Sequence, residues 1–225
     1  MAAQSKDVNI YLFPGMGADE RLFKPISIDH GNLHYIRWKH VPGARTMRDY
    51  AEHMCASITT ENNIYLGSSL GGMMAREMAS VRKPLDLILL SAPASRKEFP
   101  PVLNLAGALR MGRWFGPKTT FKLNRLADTF MGFSDPDDRA LFYDMLTSYE
   151  PAFIHFAINA ILEWERPDRP EDYFQLIGTK DALFKTKRMK APATIEGAGH
   201  FMTFEEPDQI SEYVNRRILQ TIETL

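Results

Sequence analysis

The sequence predicts an α/β fold: a mostly parallel sheet of about six strands, helices on both faces, and an α-helical insertion late in the chain. Three observations carry that expectation. Short apolar runs such as Ile10-Tyr11-Leu12-Phe13 and Leu87-Ile88-Leu89-Leu90 do not alternate with polar residues, as strands buried on both faces require. From residue 8 to residue 94 these runs alternate with helix-forming segments across short loops, the signature of βαβ units. From 95 to 172 the alternation gives way to helix-like segments only, and strand character returns at 173.

Each element has a local reason. Residues 8–13 form a strand that stops at Pro14-Gly15-Met16-Gly17, followed by a short helical turn over 19–23. Residues 33–38 read as a second strand. Thr46 is placed to cap a helix over 47–58, in which Tyr50, Met54 and Ile58 recur at helical spacing. A third strand around Ile64-Tyr65-Leu66 enters Gly67-Ser68-Ser69-Leu70-Gly71-Gly72, and good helix formers follow until Lys83-Pro84. Residues 85–90 are a fourth strand. Helices are expected over 102–110, 118–130, 137–148 and 152–165, bracketed by Pro100-Pro101 and the proline-rich stretch 166–170. Strands at 173–177 and 193–196 and a helix over 207–221 close the chain. The organisation expected is a core of residues 1–94 and 173–225, with 95–172 inserted as a helical cap over the strand ends.

Composition excludes several classes. With 225 residues, 44% hydrophobic and 24% charged, the chain suits one globular domain with an insertion. A net charge of -1 gives no global field for nucleic acid or an anionic membrane. The single cysteine, Cys55, rules out an internal disulfide framework or a cysteine metal cluster. The polar start, 1–7, lacks the apolar core of a signal peptide, and no apolar run is long enough to span a bilayer. A cytoplasmic protein is the expectation; oligomeric state is left open.

The chemistry centres on Gly67-x-Ser69-x-Gly71, set between a strand and a helix. This G-x-S-x-G pattern forms a sharp turn that raises the serine above the sheet edge. A β-carbon at either glycine would meet the adjoining strand or helix. A serine hydroxyl needs a base. His200, in Gly197-Ala198-Gly199-His200-Phe201 after the last strand, is the candidate; His30, His34, His40, His53 and His155 read as surface or packing residues, with His155 also a candidate substrate contact. Asp181, in the turn after strand 173–177, is the candidate for orienting the imidazole. Asp135, Asp137 and Asp138 compete, but they lie where a turn and helix cap are expected, and Glu196 is too near His200 in a strand. Ser69, Asp181 and His200 then stand at three strand ends in the order serine, acid, histidine. The backbone N–H groups of Leu70 and Met16 are the candidate donors to an oxyanion. Ser68 reads as structural, and Glu205-Glu206 as charge at a helix start. The Gly15-x-Gly17 loop lacks the pattern of a phosphate-binding loop.

Taken together, Phe13-Pro14-Gly15-Met16-Gly17, Gly67 to Gly72, Ile177-Gly178-Thr179-Lys180-Asp181 and Gly197 to Phe201 resemble the α/β-hydrolase fold across nearly the whole chain. The likeness is to its compact members, small esterases, thioesterases and methylesterases with a helical cap. Phe13 departs from the histidine frequent at that position, and the first two strands of the full fold are missing. The resemblance implies a serine hydrolase that cleaves carboxylic esters or thioesters through an acyl-enzyme, with no metal or organic cofactor. The apolar residues of 105–133 imply a small-molecule substrate with an apolar acyl or aromatic group. The same residues would also serve C–C or amide hydrolysis or a cofactor-free lyase. A hydrolase-fold ligand-binding protein is the reading from another class. Aspartate-nucleophile dehalogenation is disfavoured because the apex of the turn is Ser69.

Overall fold

The structure is a computed structural model that describes residues 8–119, 133, 135–166 and 170–225. Six strands form one sheet in the order β2-β1-β3-β4-β5-β6, every neighbouring pair parallel. They are β1 (Asn9–Phe13), β2 (Asn32–Tyr35), β3 (Asn63–Ser68), β4 (Asp86–Leu90), β5 (Phe174–Gly178) and β6 (Ala193–Ile195). All residues of β3 and β4 are buried, whereas β2 at one edge is largely exposed. The unalternating apolar runs are therefore central strands. β2 ends at Tyr35, short of the expected 38, because Trp38 turns inward: it is 3% exposed and its indole donates to the Pro14 carbonyl at 3.1 Å.

Between the strands lie α1 (Met47–Cys55) and α2 (Leu70–Val81). Thr46 and Asp49 form a reciprocal capping box at the start of α1. The chain runs from β1 outward to β2 and then back across to β3. With right-handed crossovers this reversal sends the connections to opposite faces of the sheet. Ligand sites in such sheets lie where the order reverses, beyond the carboxyl ends, which here means β1 and β3. The loop 14–17 and the turn at Ser69 both sit there.

Between β4 and β5 the described elements are helical: α3 (Pro101–Ala108), α4 (Pro136–Thr147) and α5 (Pro151–Leu162), with 3₁₀ turns at Arg96–Glu98 and Met111–Trp114. The helix expected over 118–130 falls mostly outside the described residues. Buried polar groups tie one stem of this segment to β5 and the other to α2. Glu98, fully buried, accepts from the Ala94 N–H at 2.8 Å and the Gln175 amide at 2.9 Å. At the other stem, Glu77 of α2 accepts from the Trp164 indole at 2.7 Å and pairs with Arg166 at 2.7 Å. After β6 come α6 (Met202–Glu205) and α7 (Pro207–Glu223). In α7, Ile210, Val214, Ile218 and Ile222 are buried, and Arg217 clamps Asp86 at the start of β4 at 2.6 and 2.8 Å.

The turn between β3 and α2 is packed so closely that it requires glycine. A β-carbon at residue 67 would lie 2.4 Å from the Gly71 carbonyl oxygen, and one at residue 71 would lie 2.0 Å from that of Phe13. In both cases the colliding atoms are backbone, so the strand or helix must move. Gly71→Ala should therefore lower stability by about 3 kcal/mol, the upper end of the range for overpacking. A thermal melt within a degree of the parent would contradict this reading.

Candidate active site

Ser69 occupies the apex of that turn with φ 52° and ψ -119°, outside the regions open to most L-residues. Such strain persists only where the surroundings over-determine it, and it clusters at functional sites. Here the surroundings are specific: the Ser69 N–H donates to the Leu90 carbonyl at 3.0 Å, and α2 starts at the next residue.

Asp181 and His200 arrive from β5 and β6. The turn after β5 is fastened to that after β6 by Thr179 N–H to Ile195 at 3.0 Å and Lys180 N–H to Ala198 at 2.9 Å. Asp181 is fully buried, and its Oδ1 accepts from the N–H groups of Leu183 and Phe184 at 2.8 and 2.9 Å. Its other oxygen lies 2.8 Å from His200 Nδ1, and His200 Nε2 lies 3.0 Å from Ser69 Oγ. The structure thus brings the three residues together across sequence separations of 19 and 131.

Met16 and Leu70 line the same cavity as Ser69, and their backbone N–H groups have no hydrogen-bond partner among the described residues. The loop bearing Met16 is pinned at both ends by side chains. Trp38 donates to Pro14 at 3.1 Å, and Tyr149, just after α4, donates to Ala18 at 2.8 Å. Phe13 is fully buried against Trp38 and Tyr65, so the position where the resembled fold often has histidine serves packing here.

The cavity over Ser69 measures about 200 Å³. Its walls are almost wholly apolar: Met16, Leu22 and Met73 below, Leu103, Phe142, Ile158 and Ile161 from the helical segment, and Phe184 and Phe201 beside His200. Ser68 borders it too. His155 does not line it and is engaged with Asn159 within α5 at 3.3 Å, while His34 stacks on Tyr11. Asp135 caps α4 rather than joining the site. Among the described residues no group of three or more His, Cys, Asp or Glu side chains is arranged to hold a metal ion.

Glu205 departs from expectation. It does not open a helix but closes α6, and its carboxylate accepts the Gly199 N–H at 2.6 Å, one residue before His200. Charge at a helix start fits Glu206, which directly precedes α7, but nothing in the local pattern shows that α6 is a single turn folding back on the histidine loop. Burial pushes the Glu205 carboxyl above its ordinary range, with Glu206 and Asp138 adding to the rise against the Gly199 hydrogen bond and the charge of His200.

The family can now be stated. The model for the alpha/beta hydrolase family matches residues 2–213, and the chain belongs to that family of enzymes. No curated protein sequence matches the chain. Among solved structures, a thermophilic esterase from Thermogutta terrifontis is similar, at 19% identity and TM-score 0.65, covering 96% of this chain and 91% of that one. A structure from a study of carboxylesterases of Nitrososphaera gargenis aligns at 14% identity and TM-score 0.69, over 98% and 93%. The type II thioesterase of the yersiniabactin pathway aligns at 14% and 0.62, over 96% and 94%. At these identities the likeness is one of fold.

The raised Glu205 carboxyl has a signed consequence. Its contribution to stability is full below the pKa of the unfolded chain and is lost as pH rises through the higher folded value. Glu205→Gln, neutral throughout and still able to accept from Gly199, should gain thermal stability relative to the parent on going from pH 4 to pH 7. Melts at the two pH values check this, and an advantage that shrinks with pH would contradict it.

Proposed function

We propose that this enzyme is a serine hydrolase that cleaves carboxylic esters or thioesters of short or medium apolar acyl groups, with Ser69, His200 and Asp181 as its catalytic triad. The single observation that carries the reading is the relay of contacts at 2.8 and 3.0 Å from Asp181 through His200 to Ser69, opening onto an apolar cavity. Ester and thioester hydrolases among the structural neighbours support it.

The chemistry follows from the atoms. His200 Nδ1–H donates to the Asp181 carboxylate, which leaves Nε2 with its lone pair toward Ser69. Ser69 Oγ attacks the substrate carbonyl while its proton passes to Nε2. The oxygen that gains negative charge is held by the N–H groups of Met16 and Leu70. Collapse breaks the bond to the alcohol or thiol, which leaves with the proton from Nε2. A water repeats the sequence on the acyl-serine and releases the acid. Buried Asp181, already accepting from Leu183 and Phe184, orients the imidazole and stabilises the imidazolium that forms.

In this reading residues 95–172 act as a cap. A cavity of about 200 Å³ is small beside the roughly 300–1,000 Å³ of drug-sized sites, which favours a compact acyl group. Among the described residues its lining holds no carboxylate, lysine or arginine, which favours an uncharged acyl part.

A p-nitrophenyl ester series tests this. Turnover should rise from acetate to hexanoate, fall for palmitate, and drop by roughly 10⁴–10⁶-fold in Ser69→Ala. A fluorophosphonate should label Ser69. Failure of both labelling and turnover in the parent would sink the hydrolase reading in favour of a binding role.

A further inference from the structure

The residues around the first helix of the cap carry an exposed apolar surface that the hydrolase chemistry does not use. Val102, Leu105 and Trp114 are 69%, 60% and 62% exposed, the three most exposed large apolar side chains among the described residues, and Leu109 and Phe115 are 50% and 42% exposed. Other exposed apolar residues, such as Leu33, Val81 and Leu219, are scattered over the sheet edge and outer helices, which is ordinary for a protein surface. These five fall within fourteen consecutive residues. Val102, Leu105 and Leu109 follow one another at helical spacing, so they share a face of α3 and its C-terminal turn. Trp114 and Phe115 follow at the end of the next turn.

Within this stretch the exposed charges have one sign, and Glu163 and Glu165 lie across a cleft that Arg110 also lines. Between 97 and 119 the exposed charged residues are Lys97, Arg110, Arg113 and Lys118, and the sole acid, Glu98, is fully buried beneath them. Arg113 is paired with Glu163, while no carboxylate partner of Lys97, Arg110 or Lys118 occurs among the described residues. Apolar and aromatic side chains edged by arginine and lysine are the composition of an element that lies in a membrane interface. No helix among the described residues is long and apolar enough to cross a membrane, so any contact with a bilayer through them is peripheral.

The position of α3 favours a lipid surface over a protein partner. Leu103, between Val102 and Leu105, lines the cavity over Ser69. One side of this short helix thus walls the acyl site while the other faces outward. A short or medium acyl ester partitioned into a lipid layer on the outer side would have this helix between it and the cavity. We propose that Val102, Leu105, Leu109, Trp114 and Phe115, with the basic residues around them, form a docking surface for an anionic lipid layer. With a net charge of -1 the protein has no global attraction to such a layer, so the basic residues of the patch act locally, within about a Debye length, ~10 Å at 0.1 M salt.

The inference goes beyond the hydrolase reading and is tested without catalysis. The protein has three tryptophans, and Trp38 and Trp164 are each only 3% exposed, so a solvent-dependent change in fluorescence reports Trp114. The Ser69→Ala chain is mixed with vesicles of phosphatidylglycerol or of phosphatidylcholine, and emission and co-sedimentation are read together. The expected result is a blue shift and sedimentation with the anionic vesicles only, both reversed by high salt. Arg110→Ala should weaken binding roughly fivefold, and Leu105→Asp should abolish it. In an otherwise unaltered chain, Arg110→Ala should leave hydrolysis of a soluble short-chain ester unchanged.

Absence of sedimentation with anionic vesicles would overturn the proposal. So would equal binding to neutral vesicles, or self-association that already buries Trp114 in vesicle-free solution. A blue shift produced by a soluble acidic protein but not by vesicles would reassign the surface to a protein partner. Loss of ester turnover with vesicle binding intact would instead count against the hydrolase reading alone.

Discussion

The close packing of α2 against β1 governs the site. The helix begins so near the neighbouring strand that a β-carbon at residue 71 would lie 2.0 Å from the Phe13 carbonyl oxygen. That approach requires glycine, bends the chain sharply after β3, and holds Ser69 at φ 52°. The strain is maintained by the central sheet: all of β3 and β4 is buried, and the Ser69 N–H is fixed to Leu90. The same approach brings the loop after β1 beside the serine, so Met16 and Leu70 line one cavity. The proposed nucleophile and its two candidate donors thus depend on one packing contact between a strand and a helix.

The helical segment between β4 and β5 contributes more than a roof. Tyr149 holds the Ala18 carbonyl, so the loop carrying Met16 is anchored from above as well as by Trp38 from below. Trp38 in turn stacks on Phe153 of α5. Aromatic contacts therefore run from the segment into the loop, and displacement of α5 would disturb the proposed oxyanion donors as well as the pocket walls. The buried ties at Glu77 and Glu98 fix both stems of the segment. Each tie buries a carboxyl group that more than one donor satisfies, Trp164 and Arg166 at Glu77 and the Ala94 N–H and Gln175 at Glu98.

Two carboxylates hold the histidine loop in different ways. Asp181 faces the imidazole directly and is saturated by backbone N–H groups. Glu205 acts on the backbone, gripping Gly199 from behind, and burial raises its carboxyl. Keeping a carboxylate where its charge is penalised costs stability, and the return is a fixed entry to His200. This is the exchange of stability for geometry common at functional sites.

The sequence by itself determined the layout: strand order of appearance, the turn at Ser69, and the loops bearing Asp181 and His200. These depend on local properties, namely apolar runs that need two covered faces and glycines that permit one backbone path. Elements whose ends are set by distant partners were not legible. β2 stops early because Trp38 reaches back to Pro14, and the role of Glu205 exists only because α6 turns back on Gly199. Likewise Tyr149 is one more aromatic residue until the fold carries it 131 positions along the chain to Ala18. The tertiary structure alone decided the size of the cavity and which face of α3 remained outside. Both depend on how helices pack over a sheet, and a helical repeat of apolar residues does not say which side will find a neighbour.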